Sequence, residues 1–129
     1  MKKSMIIIFA VAIAILSSTF FISCDKKTTV APEHGNTMVT MNYSPNPVVN
    51  TPIEFIFSVM EDNEAKDVTD VTCGLMMGST NLNPMTLTKT GTGKYMGSYT
   101  FAMADSCKIT FNFMHDGEMN MQDFMIQVK

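Results

Sequence analysis

Apolar and polar residues alternate with a period of two along most of the chain beyond about residue 37. Such alternation is typical of strands that bury one face in an antiparallel sheet, and no segment shows the spacing of an amphipathic helix. Turn-forming residues separate the alternating segments, and Asp116-Gly117 is the strongest hairpin signal among them. The pattern predicts about seven strands, at roughly residues 37–43, 52–60, 68–77, 84–88, 95–101, 107–114 and 119–128.

Strands of this length and spacing predict an all-β fold, an immunoglobulin-like antiparallel β-sandwich. The last predicted strand changes phase along its length. Met119 and Met121 stand at odd positions, whereas Phe124 and Ile126 stand at even ones. The change predicts a β-bulge near Gln122-Asp123.

The N-terminus follows a different pattern. Two lysines precede an unbroken apolar run from Met5 to Leu16, which is too short to span a bilayer and fits the core of an export signal. The following Phe21-Ile22-Ser23-Cys24 resembles a bacterial lipobox, in which the cysteine carries diacylglycerol and becomes the first mature residue. The sequence therefore predicts a lipoprotein signal peptide over residues 1–23 and lipidation of Cys24, against the alternative of an uncleaved anchor with an incidental cysteine.

The mature chain is organised simply. Residues 24–36 are polar and predict a flexible tether, and residues 37–129 predict a single domain. A lipid on Cys24 would hold this domain on a membrane, facing the periplasm or the cell exterior. The mature part has seven lysines, no arginine and twelve acidic residues, a formal net charge of −5. This charge excludes the basic surface that nucleic-acid binding requires, so the expected partners are the membrane and an envelope protein.

Three segments carry a family resemblance: Ser44-Pro45-Asn46-Pro47, Met76-Met77 with the later Met85, and the run from Gly91 to Met103. Together they resemble the YtkA-like domain, a small immunoglobulin-like sandwich of bacterial envelope proteins, over residues 38–128. The chain departs from that family where Met76-Met77-Gly78 replaces its methionine–proline pairs. The resemblance implies the sandwich fold and, through some members, a link to copper and heavy-metal handling.

The sequence predicts no enzymatic activity. It contains no nucleophile elbow, no HExxH, no CxxC, no phosphate loop and no GxGxxG. His34 lies in the predicted tether, and His115 lies at a predicted hairpin tip without an evident orienting partner.

Methionine is the unusual component, because the mature part holds 12 of the 14 methionines in the chain. Methionine fills irregular gaps in cores, and by strand phase Met77 and Met103 are expected in the core. Thioethers are also soft ligands that favour Cu(I), and both interpretations stay open. The densest group surrounds the predicted turn, which brings Met114 opposite Met119. The resulting hypothesis is a Cu(I) site formed by Met114, His115, Met119 and Met121, with help from Met76.

Two further features bear on the site. Cys73 and Cys107 lie on the apolar phase of strands that we expect to be neighbours, with Cys73 opposite residues near 109, so a disulfide and two buried thiols both stay open. The acidic loop 61–67 matches no Ca²⁺-binding loop and favours a solvated surface. An immunoglobulin-like strand order places this loop and the His115 hairpin at the same end of the sandwich.

Overall fold

The computed structural model describes residues 27–30 and 37–129, and its regular elements there are all β-strands. Ten strands form two antiparallel sheets: β1 (Lys27–Val30), β2 (Thr37–Tyr43), β3 (Pro52–Glu61), β4 (Glu64–Ala65), β5 (Thr69–Met77), β6 (Thr80–Asn81), β7 (Thr88–Gly91), β8 (Lys94–Thr100), β9 (Ser106–His115) and β10 (Glu118–Gln127). The first sheet has the order β1-β2-β3-β8-β7, with β4 beside β3, and the second has the order β10-β9-β5-β6. Within the described ranges, no helix could cross a membrane.

This architecture confirms the predicted antiparallel sandwich. The six longest strands lie within two residues of their predicted positions. The strand predicted at 84–88 is misplaced, because Met85 makes only an isolated bridge to Cys73 and β7 begins at Thr88. The pattern also misses β1, β4 and β6. Of these, β1 lies inside the predicted tether and pairs with β2, so that Lys27 stands opposite Tyr43.

The core lies between the two sheets and is filled by the odd-numbered residues of the central strands. Phe55, Phe57 and Val59 of β3 are buried against Ile109 and Phe111 of β9. The rings of Phe57 and Phe111 stack across the two sheets with their centroids 4.7 Å apart. Burial of such apolar side chains is the main favourable term in folding, so these pairs fix how the sheets face each other.

Of the two methionines expected in the core, one is buried and the other is exposed. Met77 is buried, as its strand phase predicts. Met103 is 57% exposed, because it follows the end of β8 at Thr100 and lies in the turn before β9. The expectation for Met103 was therefore wrong: strand phase decides burial only inside a strand.

The predicted bulge in β10 is absent. This strand pairs with β9 residue by residue, from Glu118 opposite His115 to Gln127 opposite Ser106, without a shift in register. Its even-numbered residues face inward throughout, and Phe124 is among the buried ones. The apparent change of phase arises because Met119 and Met121 lie on the outer face of the sheet, outside the core.

Candidate functional site

The β9–β10 hairpin forms as the sequence predicts. Asp116 and Gly117 both have positive φ, 51° and 79°, as a primed two-residue turn requires. The first pair beyond the turn joins His115 to Glu118, and the second joins Met114 to Met119. Directly opposite residues have Cβ atoms about 5 Å apart, so the turn sets the two thioether side chains side by side.

The outer face of this hairpin carries three of the predicted ligands. Met119 and Met121 are 62% and 59% exposed, and Met114 is half-buried. Met119 and Met121 are two positions apart on one strand, about 7 Å along it, and therefore point to the same side. The structure thus brings Met114, Met119 and Met121 together on one solvent-exposed surface, which we call the methionine face.

Met76 does not join the methionine face. It pairs with Lys108 on β9, whereas Met114 lies six residues further along β9, opposite Thr69. At the rise of a strand, six residues span about 20 Å. The prediction that Met76 assists the hairpin was therefore wrong, because the antiparallel register places it at the other end of the sheet.

His115 does not join the methionine face either. Consecutive residues on a strand point to opposite sides of a sheet, so His115 turns inward while Met114 turns outward. Its Nε2 atom lies 2.9 Å from Glu61 Oε1 and 3.3 Å from Asp116 Oδ2, and the side chain is only 11% exposed. The predicted mixed set of thioethers and imidazole is thus divided between two sides of the strand.

Glu61 is the residue that sequence reasoning missed as the partner of His115. It ends β3 in the first sheet, and its second oxygen, Oε2, lies 3.1 Å from Lys66 Nζ. The hydrogen bonds from His115 and then Lys66 lower the pKa of Glu61 below its ordinary value of 4.5. Because Glu61 begins the acidic loop, this contact confirms that the loop and the hairpin meet at the same end of the sandwich.

The acidic loop is also held by its own contacts. Asp67 lies 2.6 Å from Lys89 Nζ and accepts a hydrogen bond of 2.8 Å from the Gly93 N–H. These two partners, Lys89 first, lower the pKa of Asp67. The Tyr95 hydroxyl accepts a hydrogen bond of 3.0 Å from the Val68 N–H and donates one of 3.0 Å to the Val68 carbonyl oxygen. The end of the loop that follows Lys66 is therefore fixed to β7 and β8.

The two remaining cysteines are free thiols in the core. Cys73 stands opposite Phe111, and Cys107 stands opposite Met77, so the expected register was wrong. Four residues separate Cys107 from Phe111 along β9, about 13 Å, whereas a disulfide needs Cα atoms within about 7 Å. Burial raises the pKa of the Cys73 thiol to about 12 and that of Cys107 to about 11, as expected for unreactive core residues.

No protein-family model and no curated protein matches the sequence. Solved structures do match the fold. A DUF4426 family protein from Pseudomonas aeruginosa PAO1 is 14% identical, with a TM-score of 0.60 over 77% of this chain and 94% of that one. The Lin-41 filamin domain is 12% identical, with a TM-score of 0.50 over 82% of this chain and 95% of that one.

A DUF4785 family protein from Legionella pneumophila subsp. pneumophila str. Philadelphia 1 is also similar, at 14% identity and a TM-score of 0.55 over 74% of this chain. The match spans only 29% of that longer protein. At such identities the likeness establishes an immunoglobulin-like sandwich and carries no function.

Proposed function

We propose that this chain is a lipid-anchored, non-catalytic domain of the bacterial envelope, related to YtkA-like domains, that binds Cu(I) through the methionine face. The observation that carries the proposal is the cross-strand pair Met114–Met119, with Met121 on the same exposed surface. Thioether sulfur is a soft ligand that favours Cu(I) over the hard cations.

Exposure and rigidity both support metal binding over packing. Met119 and Met121 bury little of their surface, so filling a core does not explain them. The hairpin holds Met114 and Met119 side by side before any ion arrives, so binding costs little backbone entropy. A thioether carries no proton to lose, and Cu(I) binding by sulfur alone should therefore be insensitive to pH.

The strand register supports an orientation on the membrane. Cys24 lies outside the described residues, but it precedes Lys27 by only three positions, a span of at most about 11 Å. Lys27 stands opposite Tyr43, at the end of the sandwich remote from Glu61. A lipid on Cys24 would therefore hold the Tyr43 end near the membrane and direct the β9–β10 hairpin away from it. Tyr43 pairs with Phe55, and the six residues of β3 from Phe55 to Glu61 span about 20 Å.

A competition titration tests copper binding. Full-length protein in detergent is titrated with Cu(I) in the presence of bicinchoninate, a chromogenic Cu(I) chelator. The double variant Met114→Leu/Met119→Leu keeps apolar volume and should fold, yet its Cu(I) affinity should fall at least about 10-fold. Met125→Leu is the matched control, because Met125 is an exposed methionine on the same face of β10, six residues from Met119. Equal affinity in the double variant and the control would refute the proposal.

Metabolic labelling with an azido fatty acid tests the anchor separately. The wild-type protein should be labelled, and Cys24→Ala should not be. Cys73→Ala, which removes a buried thiol, should keep the label. Equal labelling of Cys24→Ala would contradict lipidation at this residue.

Docking of an envelope protein without metal is the second candidate, and one observation favours it. β10 is a ten-residue edge strand, and among the described residues its full-length pairing is with β9 alone. A long, regular edge strand is a template for addition of a partner strand. A photo-crosslinker at position 125 distinguishes the two functions. Docking predicts a crosslinked partner that persists without copper and in the double variant, whereas copper binding alone predicts none.

A further inference from the structure

A second group of potential ligands lies at the end of the sandwich where β3 and β9 end, apart from the methionine face. One ligand atom from each of Glu61, His115 and Asp116 lies within 4.8 Å of the other two. We infer that these three residues bind a divalent cation of the Zn²⁺ class, independently of the proposed Cu(I) site. Imidazole and carboxylate are ligands that Zn²⁺ accepts, whereas thioether is not its usual partner.

The distances already resemble those of a coordination shell. In a tetrahedral zinc site, with bonds of about 2.0–2.1 Å, neighbouring ligand atoms lie about 3.3 Å apart. His115 Nε2 is 2.9 Å from Glu61 Oε1 and 3.3 Å from Asp116 Oδ2. A single nitrogen thus faces two carboxylate oxygens, and an ion placed between these three atoms would need only small side-chain movements.

The fold holds these ligands from three places. Glu61 ends β3 in one sheet, His115 ends β9 in the other, and Asp116 occupies the turn with a φ of 51°. Lys66 binds Oε2 of Glu61 at 3.1 Å and leaves Oε1 directed at His115. The imidazole is nearly enclosed, so its orientation is fixed before an ion binds.

Access and an open coordination position come from Asp116, whose side chain is 81% exposed. An ion can enter from the solvent beside this carboxylate and meet the partly buried Glu61 and the nearly enclosed His115 behind it. Three protein ligands leave a fourth tetrahedral position for water, as in zinc sites that remain open. The site would also tie the two sheets together at the end where the apolar core stops.

Titration of the full-length protein with Zn²⁺, and with Co²⁺ as a spectroscopic substitute, tests the inference. We expect one ion per chain and visible Co²⁺ absorption of tetrahedral intensity. His115→Gln and Asp116→Asn should each weaken binding at least about 10-fold. Asn tolerates the positive φ of the turn, so Asp116→Asn should fold even if His115→Gln does not.

Two controls separate this site from other effects. Glu118→Gln removes a carboxylate of the same hairpin that lies outside the cluster and should bind Zn²⁺ like the wild type. Met114→Leu/Met119→Leu should also bind Zn²⁺ normally, so a failure of the copper proposal leaves this result intact. If Asp116→Asn and the wild type bind Zn²⁺ equally, or neither binds it, the cluster is an ion pair only and the inference is overturned.

Discussion

His115 Nε2 lies 2.9 Å from Glu61 Oε1, and this contact joins the last residue of β9 in one sheet to the last residue of β3 in the other. Both residues continue the inward-facing, odd-numbered series of their strands. The series is apolar up to Val59 and Phe113 and becomes polar at this final position. The end of the sandwich is therefore closed by a polar pair.

Acid should weaken the fold through the carboxylates of this end. The pKa values of Glu61 and Asp67 are lowered from 4.5 and 3.8, so the unfolded chain binds more protons than the folded one in this range. The stability that these two carboxylates contribute is complete when the pH is above their ordinary pKa values. It is lost as the pH falls through their lowered pKa values in the folded protein. The free energy of unfolding, measured with urea, should decline below about pH 4.5, and the decline should be shallower in the double variant Glu61→Gln/Asp67→Asn than in the wild type. Parallel declines would contradict the assignment.

The contact between Phe57 and Phe111 should be the main determinant of global stability. Both side chains are fully buried and stack across the sheets. Phe111→Ala should lower the free energy of unfolding by about 3–5 kcal/mol, because it removes the ring and leaves a cavity. Met125→Ala, on the exposed outer face, should change it by less than about 0.5 kcal/mol. Urea unfolding of both variants measures the two losses in the free energy of unfolding. Similar losses would be inconsistent with a core centred on Phe57 and Phe111.

Gly93 should be far less tolerant of substitution than Gly117, although both have positive φ. A Cβ at Gly93 would lie 2.5 Å from the Val59 carbonyl oxygen and 2.9 Å from the Lys66 nitrogen, whereas a Cβ at Gly117 meets nothing within 4 Å. Gly93→Ala should cost more than about 2 kcal/mol, and Gly117→Ala about 1 kcal/mol. Thermal unfolding of the pair measures the difference, and the reverse order would be evidence against this packing of the acidic loop.

The buried thiols should be free but slow to react. In a Cys24→Ser variant, two thiols per chain should react with a chromogenic reagent after denaturation without reductant. In the folded protein at pH 8 the reaction should be at least about 100-fold slower, because burial raises the pKa of Cys73 to about 12 and that of Cys107 to about 11 and so removes thiolate. Fewer than two thiols in the denatured protein would indicate a disulfide, against the observed register.

Period-two alternation predicted the long strands because each buries a full row of side chains. It could not reveal β4 or β6, since two-residue strands depend on pairing with a neighbour. The disulfide geometry was uncertain for a related reason: a bulge between Thr69 and Thr72 shifts the register of β5 against β9.

The candidate site was partly predictable. Asp116-Gly117 fixes the turn, and the turn fixes the pair Met114–Met119. The same alternation already implied that His115 faces away from Met114, although the sequence hypothesis grouped them. Glu61 could not be found from the sequence, because 54 residues separate it from His115 and only the packing of the two sheets brings them together.

X-ray absorption at the copper K-edge of the Cu(I)-loaded protein tests the central claim most directly. If the methionine face binds Cu(I), the first coordination shell should consist of sulfur alone and should be unchanged in His115→Gln, since His115 lies on the other side of the strand. A first shell containing nitrogen that disappears in His115→Gln would contradict binding at the methionine face.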